Sequence, residues 1–224
     1  MKSIPRIKNL VFILLVSLLL SLPLNAQTGT LFHGCAPEGD ATQTTRSDPA
    51  LNVLKNRTAL PSGGFTAAHF DDLAQLEVPE GVSKKHRDRW PVETLQAVEA
   101  QEKSAVQVIG FLLKTKLEGP EGPNCHSTDP ADRDFHIWLA NSPDDDKPDA
   151  IVVEITPRVR AEHPSWTRTR LNGLIAGKTR VRVSGWVLLD PEHPDQVGKT
   201  RATIWEIHPI MKIEVFSSGQ WQEF

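Results

Sequence analysis

The sequence lacks the short motifs that mark the best-known catalytic and metal sites. Neither H-E-x-x-H nor C-x-x-C occurs among its 224 residues, so no spacing is diagnostic of a metal centre. Ser184 lies in V-S-G-W and lacks the G-x-S-x-G turn that exposes a hydrolase serine. The chain therefore offers no evident nucleophile, and we predict no cofactor.

Long apolar runs are also scarce. The run from Leu10 to Leu22 follows three basic residues and precedes a small residue, Ala26. It is shorter than the roughly 20 residues needed to span a bilayer, and this order is typical of a secretory signal peptide. We expect residues 1–26 to be cleaved on export, leaving no membrane anchor; an uncleaved anchor is the alternative. Cleavage removes three positive charges and changes the formal net charge from −3 to −6, which argues against general nucleic-acid binding.

Cysteine occurs twice, at Cys35 and Cys125. In an oxidising compartment such a pair predicts a disulfide, which would tie an N-terminal arm to the rest of the chain across 90 residues. Lipid attachment at Cys35 is not favoured, because Phe32 and His33 do not suit such a site and the apolar run ends well before it.

Residues 27–103 predict an extension of short helices that packs on a main domain. Asp48 and Pro49 suit the start of a helix in DPALNVLKNR, and further helices are expected in AAHFDDLAQL and RWPVETLQAVEAQEK. From Ser104 the pattern changes to strands, with one helix in HPSWTRTRLNGLIAGK. The five expected strands are AVQVIGFLLKTKLEG, RDFHIWLANS, AIVVEITPRV, TRVRVSGWVLLD and RATIWEIHPIMKIEVF.

The order β-β-β-α-β-β over residues 104–216, with a tail at 217–224, resembles the OB-fold, a five-stranded barrel that binds oligonucleotides and oligosaccharides. Gly110 permits the bend of a strand shared by both sheets of a small barrel. The helix is expected to end at Gly177 with a positive φ, and Pro209 to mark a bend. We predict a mainly β fold with short helices: an OB-fold-like barrel with an N-terminal helical and irregular extension.

Alternation along the strands assigns polar side chains to faces. His136, Trp138 and Glu154 point away from their apolar neighbours, so pairing of the second and third strands places all three on the outer face, where OB-folds receive ligands. Trp138 is the tryptophan expected to be exposed. His136 and Glu154 have three open uses: hydrogen-bonded surface, ligand contact, or metal binding, for which His208 is a further candidate.

The last strand is partly apolar on both faces, which predicts cover on both sides. Glu206 and His208 would then hold a covered joint together, with Arg201 or another basic residue as partner. Ligand or metal contact and catalysis are the alternatives for this pair.

A basic segment runs from residue 158 to 182, where seven basic residues and one glutamate give +6. Arginines with nearby tryptophans suit an anionic polymer such as nucleic acid, a phosphorylated glycan or lipid headgroups. Alternatively, these arginines point outward and pair with aspartate-rich loops. The ligand candidates in this segment are Arg158, Arg160, Arg180 and Arg182.

Several stretches resemble those of a group of uncharacterised exported bacterial proteins with an OB-fold-like domain. The resemblance implies export and the barrel fold and brings no activity with it; the strand order is also similar to small periplasmic bacterial OB-fold proteins. The similar stretches are NCH (124–126), D-x-H (134–136), EITPR (154–158), SGW followed by D-x-E-H (184–193), and WEIHP (205–209).

Three functions fit these observations. We predict an exported binding protein, periplasmic or extracellular, whose ligand is an anionic polymer, an oligosaccharide or a nucleic acid. The alternatives are a metal-assisted hydrolase or nuclease that uses His136 and Glu154, and a structural envelope protein with protein partners.

Overall fold

A computed structural model describes residues 30–42 and 45–224; the predicted signal peptide at 1–26 lies outside the described residues. In the described part, seven strands share one sheet, accompanied by five α-helices. The strands are β1 (Thr66–Ala68), β2 (Ala105–Leu117), β3 (Phe135–Ala140), β4 (Ile151–Ile155), β5 (Arg180–Leu189), β6 (Trp205–Ser217) and β7 (Gln220–Glu223). The helices are α1 (Pro49–Lys55), α2 (Phe70–Ala74), α3 (Val92–Glu102), α4 (Pro157–Glu162) and α5 (Arg168–Ala176).

Five of the strands close a barrel in the order β2-β3-β4-β6-β5, because β5 also pairs with β2. The neighbours are antiparallel except β4 and β6, which are parallel. The predicted five-stranded, OB-fold-like barrel is confirmed. Its helical crossover lies between β4 and β5 as predicted, but it contains two helices, α4 and α5, where one was expected.

Two short strands that the sequence did not predict extend this sheet. β1 pairs in parallel with the start of β2. β7 forms a hairpin with the end of β6 through Ser218 and Gly219, which both have positive φ. Most of residues 217–224, expected to be a tail, are therefore hydrogen-bonded to the barrel.

Gly110 lies where β2 passes from one side of the barrel to the other. Residues up to Phe111 pair with β5, and residues from Phe111 onward pair with β3. A Cβ atom on Gly110 would lie 2.4 Å from the carbonyl oxygen of Ala140. The predicted need for glycine at this bend is confirmed, since no larger residue allows β2 and β3 to approach so closely.

One prediction for the second crossover helix, the positive φ at Gly177, is wrong. Thr167 caps α5 by accepting a hydrogen bond from the Arg170 amide. The helix ends before Gly177 as predicted, but Gly177 has a right-handed φ of −81°. The positive φ of 46° belongs to Lys178 instead, because the chain continues right-handed through Gly177 and turns one residue later.

One apolar core joins the barrel to the extension. It combines aliphatic side chains of the barrel strands with Leu171 of α5, Phe70 of α2 and Val98 of α3. The outer face of β3 and β4 is also covered, since every residue of both strands is buried. Loops therefore cover much of this face and leave its polar side chains little exposure.

The N-terminal arm is attached at several points. The predicted disulfide between Cys35 and Cys125 is confirmed. Arg158 donates hydrogen bonds to the carbonyl oxygens of Thr30 (3.0 Å) and Cys35 (2.8 Å). Of the helices in the described residues, none has the length and hydropathy that a membrane crossing requires.

Candidate functional site

A cavity of about 340 Å³ opens on the outer face of β3, β4 and β6. His136, Glu154 and Glu206 form its floor, because His136 pairs with Glu154 in the sheet and Glu206 lies opposite Val152. A second cavity, of about 410 Å³, adjoins it through shared lining residues. The other side chains that line the first cavity are Lys55, Lys116, Glu118, Glu121, Trp138, Lys147, Asp190, His193, Gln196, Thr200 and Arg201.

His136 bridges two carboxylates on the cavity floor. Its Nδ1 lies 2.8 Å from Glu154 Oε1 and 3.0 Å from Glu118 Oε1. Burial alone would lower the pKa of His136, but the hydrogen bonds to Glu118 and Glu154 raise it to about 9. The imidazole is therefore protonated at neutral pH. The structure brings His136 and Glu154 together as predicted, but both are buried rather than on a solvated surface.

His208 lies behind this floor and is completely buried. Its Nδ1 is 3.4 Å from Glu154 Oε2 and 3.6 Å from Glu206 Oε2, and its Nε2 is 3.7 Å from Asp134 Oδ2. None of these contacts is a hydrogen bond, and within the described residues neither ring nitrogen has a hydrogen-bond partner. Burial and the nearby Glu154 raise the pKa of Asp134 to about 6. His208 is therefore surrounded by three carboxylates whose negative charge is only partly neutralised.

Arg201 connects the last strand to the loop before it. Its Nη1 donates to Glu206 Oε1 at 2.7 Å and to Asp190 Oδ2 at 2.9 Å, and all three side chains are buried. Burial would raise the pKa of Asp190, but hydrogen bonding by His193 and the charges around it hold this pKa well below its usual range. Glu206 and His208 are both buried, as the predicted covered joint requires, and Arg201 is the basic partner of Glu206, but within the described residues His208 makes no hydrogen bond.

Trp138 corrects the sequence analysis, because it is buried rather than exposed. Its indole N–H donates to the carbonyl oxygen of Thr200 at 2.6 Å, and the Lys147 ammonium lies 4.0 Å from the ring centroid. The β5–β6 loop and Lys147 thus cover the ring that alternation assigned to solvent. Trp138 is a wall of the cavity and offers no open stacking platform.

The four arginine candidates of the basic segment do not line this cavity. Arg158 and Arg160 donate hydrogen bonds to backbone carbonyls. The carbonyls that accept from Arg160 belong to the loop before β3. Arg182 forms a bidentate pair with Glu214, with distances of 2.6 and 2.7 Å. Arg180 lies near the rings of Phe216 and Trp221. The guanidinium groups of Arg158, Arg160 and Arg182 are thus engaged within the fold.

Several cavity residues had not been assigned to the site from the sequence. Glu118 directly follows β2, where its amide bonds to the carbonyl of Asp134. Lys55 is the last residue of α1. Burial alone would lower its pKa, but the negative charges of Asp190 and Glu121 raise it. In the sequence, the D-x-H spacing places Asp134 next to the candidate His136. No sequence pattern around Lys55 indicated a place in the site. Comparisons with family models, curated proteins and solved structures found no match to the chain.

Proposed function

We propose that the protein is an exported OB-fold-like binding protein that takes an anionic saccharide into the cavity over β3, β4 and β6. The observation that carries this proposal is a cavity on the OB-fold ligand face where lysines meet buried carboxylates. Ammonium groups attract an anionic substituent, while carboxylates accept hydrogen bonds from sugar hydroxyls. A ligand with both kinds of group satisfies both parts of the cavity.

The positive side of the cavity supports an anionic ligand. Lys116 and Lys147 both line it, and Lys114 lies close by. Burial, together with the charges of Lys114 and Lys116, lowers the pKa of Lys147, which indicates that positive charge is crowded there. A bound carboxylate, sulfate or phosphate group relieves this repulsion.

The adjoining cavity supports a ligand longer than one sugar unit. The two cavities share Lys55, Glu121 and His193, so a chain that passes these residues occupies both. Each volume lies in or near the range of about 300–1,000 Å³ that is typical of small-molecule sites. An oligosaccharide end fits this arrangement better than a polymer spread over the basic segment.

Export is part of the same proposal. A disulfide between Cys35 and Cys125 suits an oxidising compartment. The signal-peptide pattern of residues 1–26 and the resemblance to exported bacterial proteins support the same location.

Calorimetric titration at low salt tests the ligand. The probes are a sulfated heparin tetrasaccharide, a galacturonate tetrasaccharide, neutral maltotetraose and a short single-stranded oligonucleotide. We expect one of the anionic saccharides to bind, and the double variant Lys116→Ala/Lys147→Ala to weaken binding at least tenfold. Lys103→Ala, which changes an exposed lysine at the end of α3, is the matched control. Failure of both saccharides to bind, stronger binding of the oligonucleotide, or equal binding by the double variant refutes the proposal.

A second function, metal-assisted hydrolysis at His136 and Glu154, is favoured by one observation. One ligand atom from each of Glu118, His136 and Glu154 lies within 4.8 Å of the other two on the cavity floor, a grouping that could hold a metal ion able to activate water. The test is product formation from the same saccharides with Zn²⁺ or Mn²⁺ present. Loss of turnover in a folded Glu154→Gln variant supports hydrolysis, and intact saccharides after prolonged incubation exclude it.

A further inference from the structure

The carboxylates of Asp134 and Glu154 are each oriented by one hydrogen-bond donor. Asp134 Oδ1 accepts a hydrogen bond from the Asn124 side chain at 2.9 Å. Glu154 Oε1 lies 2.8 Å from His136 Nδ1. The second oxygen of each carboxylate, Asp134 Oδ2 and Glu154 Oε2, faces His208. Donors that fix one oxygen while the other remains available are the usual outer shell of a metal-binding carboxylate.

His208 supplies an independent observation. It is completely buried, and within the described residues both ring nitrogens lack a hydrogen-bond partner. A buried polar atom without a hydrogen-bond partner costs free energy, and a bound ion is one explanation for such an atom. In His136 only Nε2 lacks a partner among the described residues, because Nδ1 already contacts two carboxylates.

The spacing of these groups suits a metal ion better than direct hydrogen bonds. One ligand atom from each of Asp134, Glu154 and His208 lies within 4.8 Å of the other two. Two ligands at about 2.1 Å from a tetrahedral ion lie about 3.4 Å apart, and His208 Nδ1 is 3.4 Å from Glu154 Oε2. Asp134 Oδ2 lies 3.7 Å from the other ring nitrogen, Nε2, so binding of one ion by all three residues requires a side-chain rotation of His208 or Asp134.

We infer that Asp134, Glu154 and His208 form a buried site for a divalent transition-metal ion, for which Zn²⁺ is the best match. One imidazole nitrogen and two carboxylate oxygens suit Zn²⁺ better than Ca²⁺ or Mg²⁺, which prefer oxygen ligands alone. The ion neutralises the two carboxylates, and Glu154, which lines the cavity floor, connects the site to the cavity. This inference goes beyond the proposed saccharide binding and does not depend on it.

The experiment uses the full secreted protein, stripped with a chelator and titrated with Zn²⁺ in a calorimeter. Co²⁺ substitution provides a second readout, because its visible absorption reports the coordination geometry. We expect one equivalent of Zn²⁺ per chain and a higher melting temperature in its presence. Asp134→Asn and Glu154→Gln keep the side-chain shape and should each weaken binding by roughly 10- to 100-fold or more. His69→Gln, at an exposed histidine before α2, is the matched control.

Circular dichroism establishes that each variant is folded before titration. His208→Gln is the most direct variant; if it does not fold, the two carboxylate variants decide the question. Binding that is lost in them and kept in His69→Gln supports the site. Folded wild-type protein that binds no Zn²⁺ at micromolar concentration overturns it, as does equal binding by wild type and both carboxylate variants. The saccharide proposal is tested separately by titration of Lys116→Ala/Lys147→Ala. Failure of saccharide binding can therefore be told apart from failure of Zn²⁺ binding.

Discussion

Replacing Arg201 by methionine removes a guanidinium that holds two carboxylates beside the cavity. Arg201 donates to Asp190 at 2.9 Å and to Glu206 at 2.7 Å, and its side chain and both carboxylates are at most 5% exposed. Methionine keeps most of the aliphatic volume, so the change is mainly electrostatic. Removing one partner of a buried ion pair typically costs about 3–5 kcal/mol. Since both carboxylates lose the same partner here, we expect a loss near the upper end of that range.

Urea unfolding at pH 7 with EDTA measures the loss without a contribution from bound metal. Arg182→Met is the control, because Arg182 pairs with a single carboxylate, Glu214, and its side chain is 21% exposed. Because Arg182 is partly exposed and leaves only one carboxylate without a partner, its loss should cost less than the loss of Arg201. Adding Asp190→Asn and Glu206→Gln to Arg201→Met should restore much of the stability, since the two buried side chains that lose the guanidinium are then neutral. A loss of stability in Arg201→Met no larger than that in Arg182→Met contradicts this expectation.

Three further predictions concern the fold. The double variant Cys35→Ser/Cys125→Ser should lower the free energy of unfolding by about 2–5 kcal/mol; a difference below about 1 kcal/mol in urea unfolding would show that the arm is held without the bond. Gly110→Ala should cost about 1–3 kcal/mol or more in the same assay, because its Cβ meets a carbonyl oxygen of β3 at 2.4 Å. The hydrogen bond from Arg182 lowers the pKa of Glu214, so this pair stabilises the fold above about pH 4.3 and loses its effect as the pH falls. The difference in stability between wild type and Arg182→Met should therefore shrink in acid, and a constant difference down to pH 2 contradicts this.

The barrel was predictable because its information is local. Strand alternation, the internal glycine of β2 and the helical segment before β5 all lie within short windows of sequence. The two errors in the crossover are local as well. The predicted helix is α5, whereas α4 begins where the third strand was expected to continue, because Thr156 accepts a hydrogen bond from the Val159 amide and so starts a helix after Ile155. β7 was missed because residues 217–224 are short and polar.

The site was predictable only in part. Alternation correctly placed His136, Trp138 and Glu154 on one face and correctly predicted cover over Glu206. It could not show that loops far away in sequence bury that face, since no periodicity encodes which loop folds over which strand. Trp138, for example, is covered by a hydrogen bond to Thr200, 62 residues later in the chain. Burial was therefore the property that the sequence left undetermined.

The two ends of this covered face differ in a way that folding alone does not require. At one end, Trp138 packs with Ala140 and Ala150 in a small apolar cluster. At the other end of the same strands, Glu154 and its neighbours form a buried charged group. Replacing buried ion clusters by apolar residues is often neutral or stabilising, and the apolar end shows that these strands and loops accept such packing. The charged end therefore points to binding, and an apolar Glu154→Leu/His208→Leu variant that is as stable as the EDTA-treated wild type, but no longer binds Zn²⁺, would separate its function from its fold.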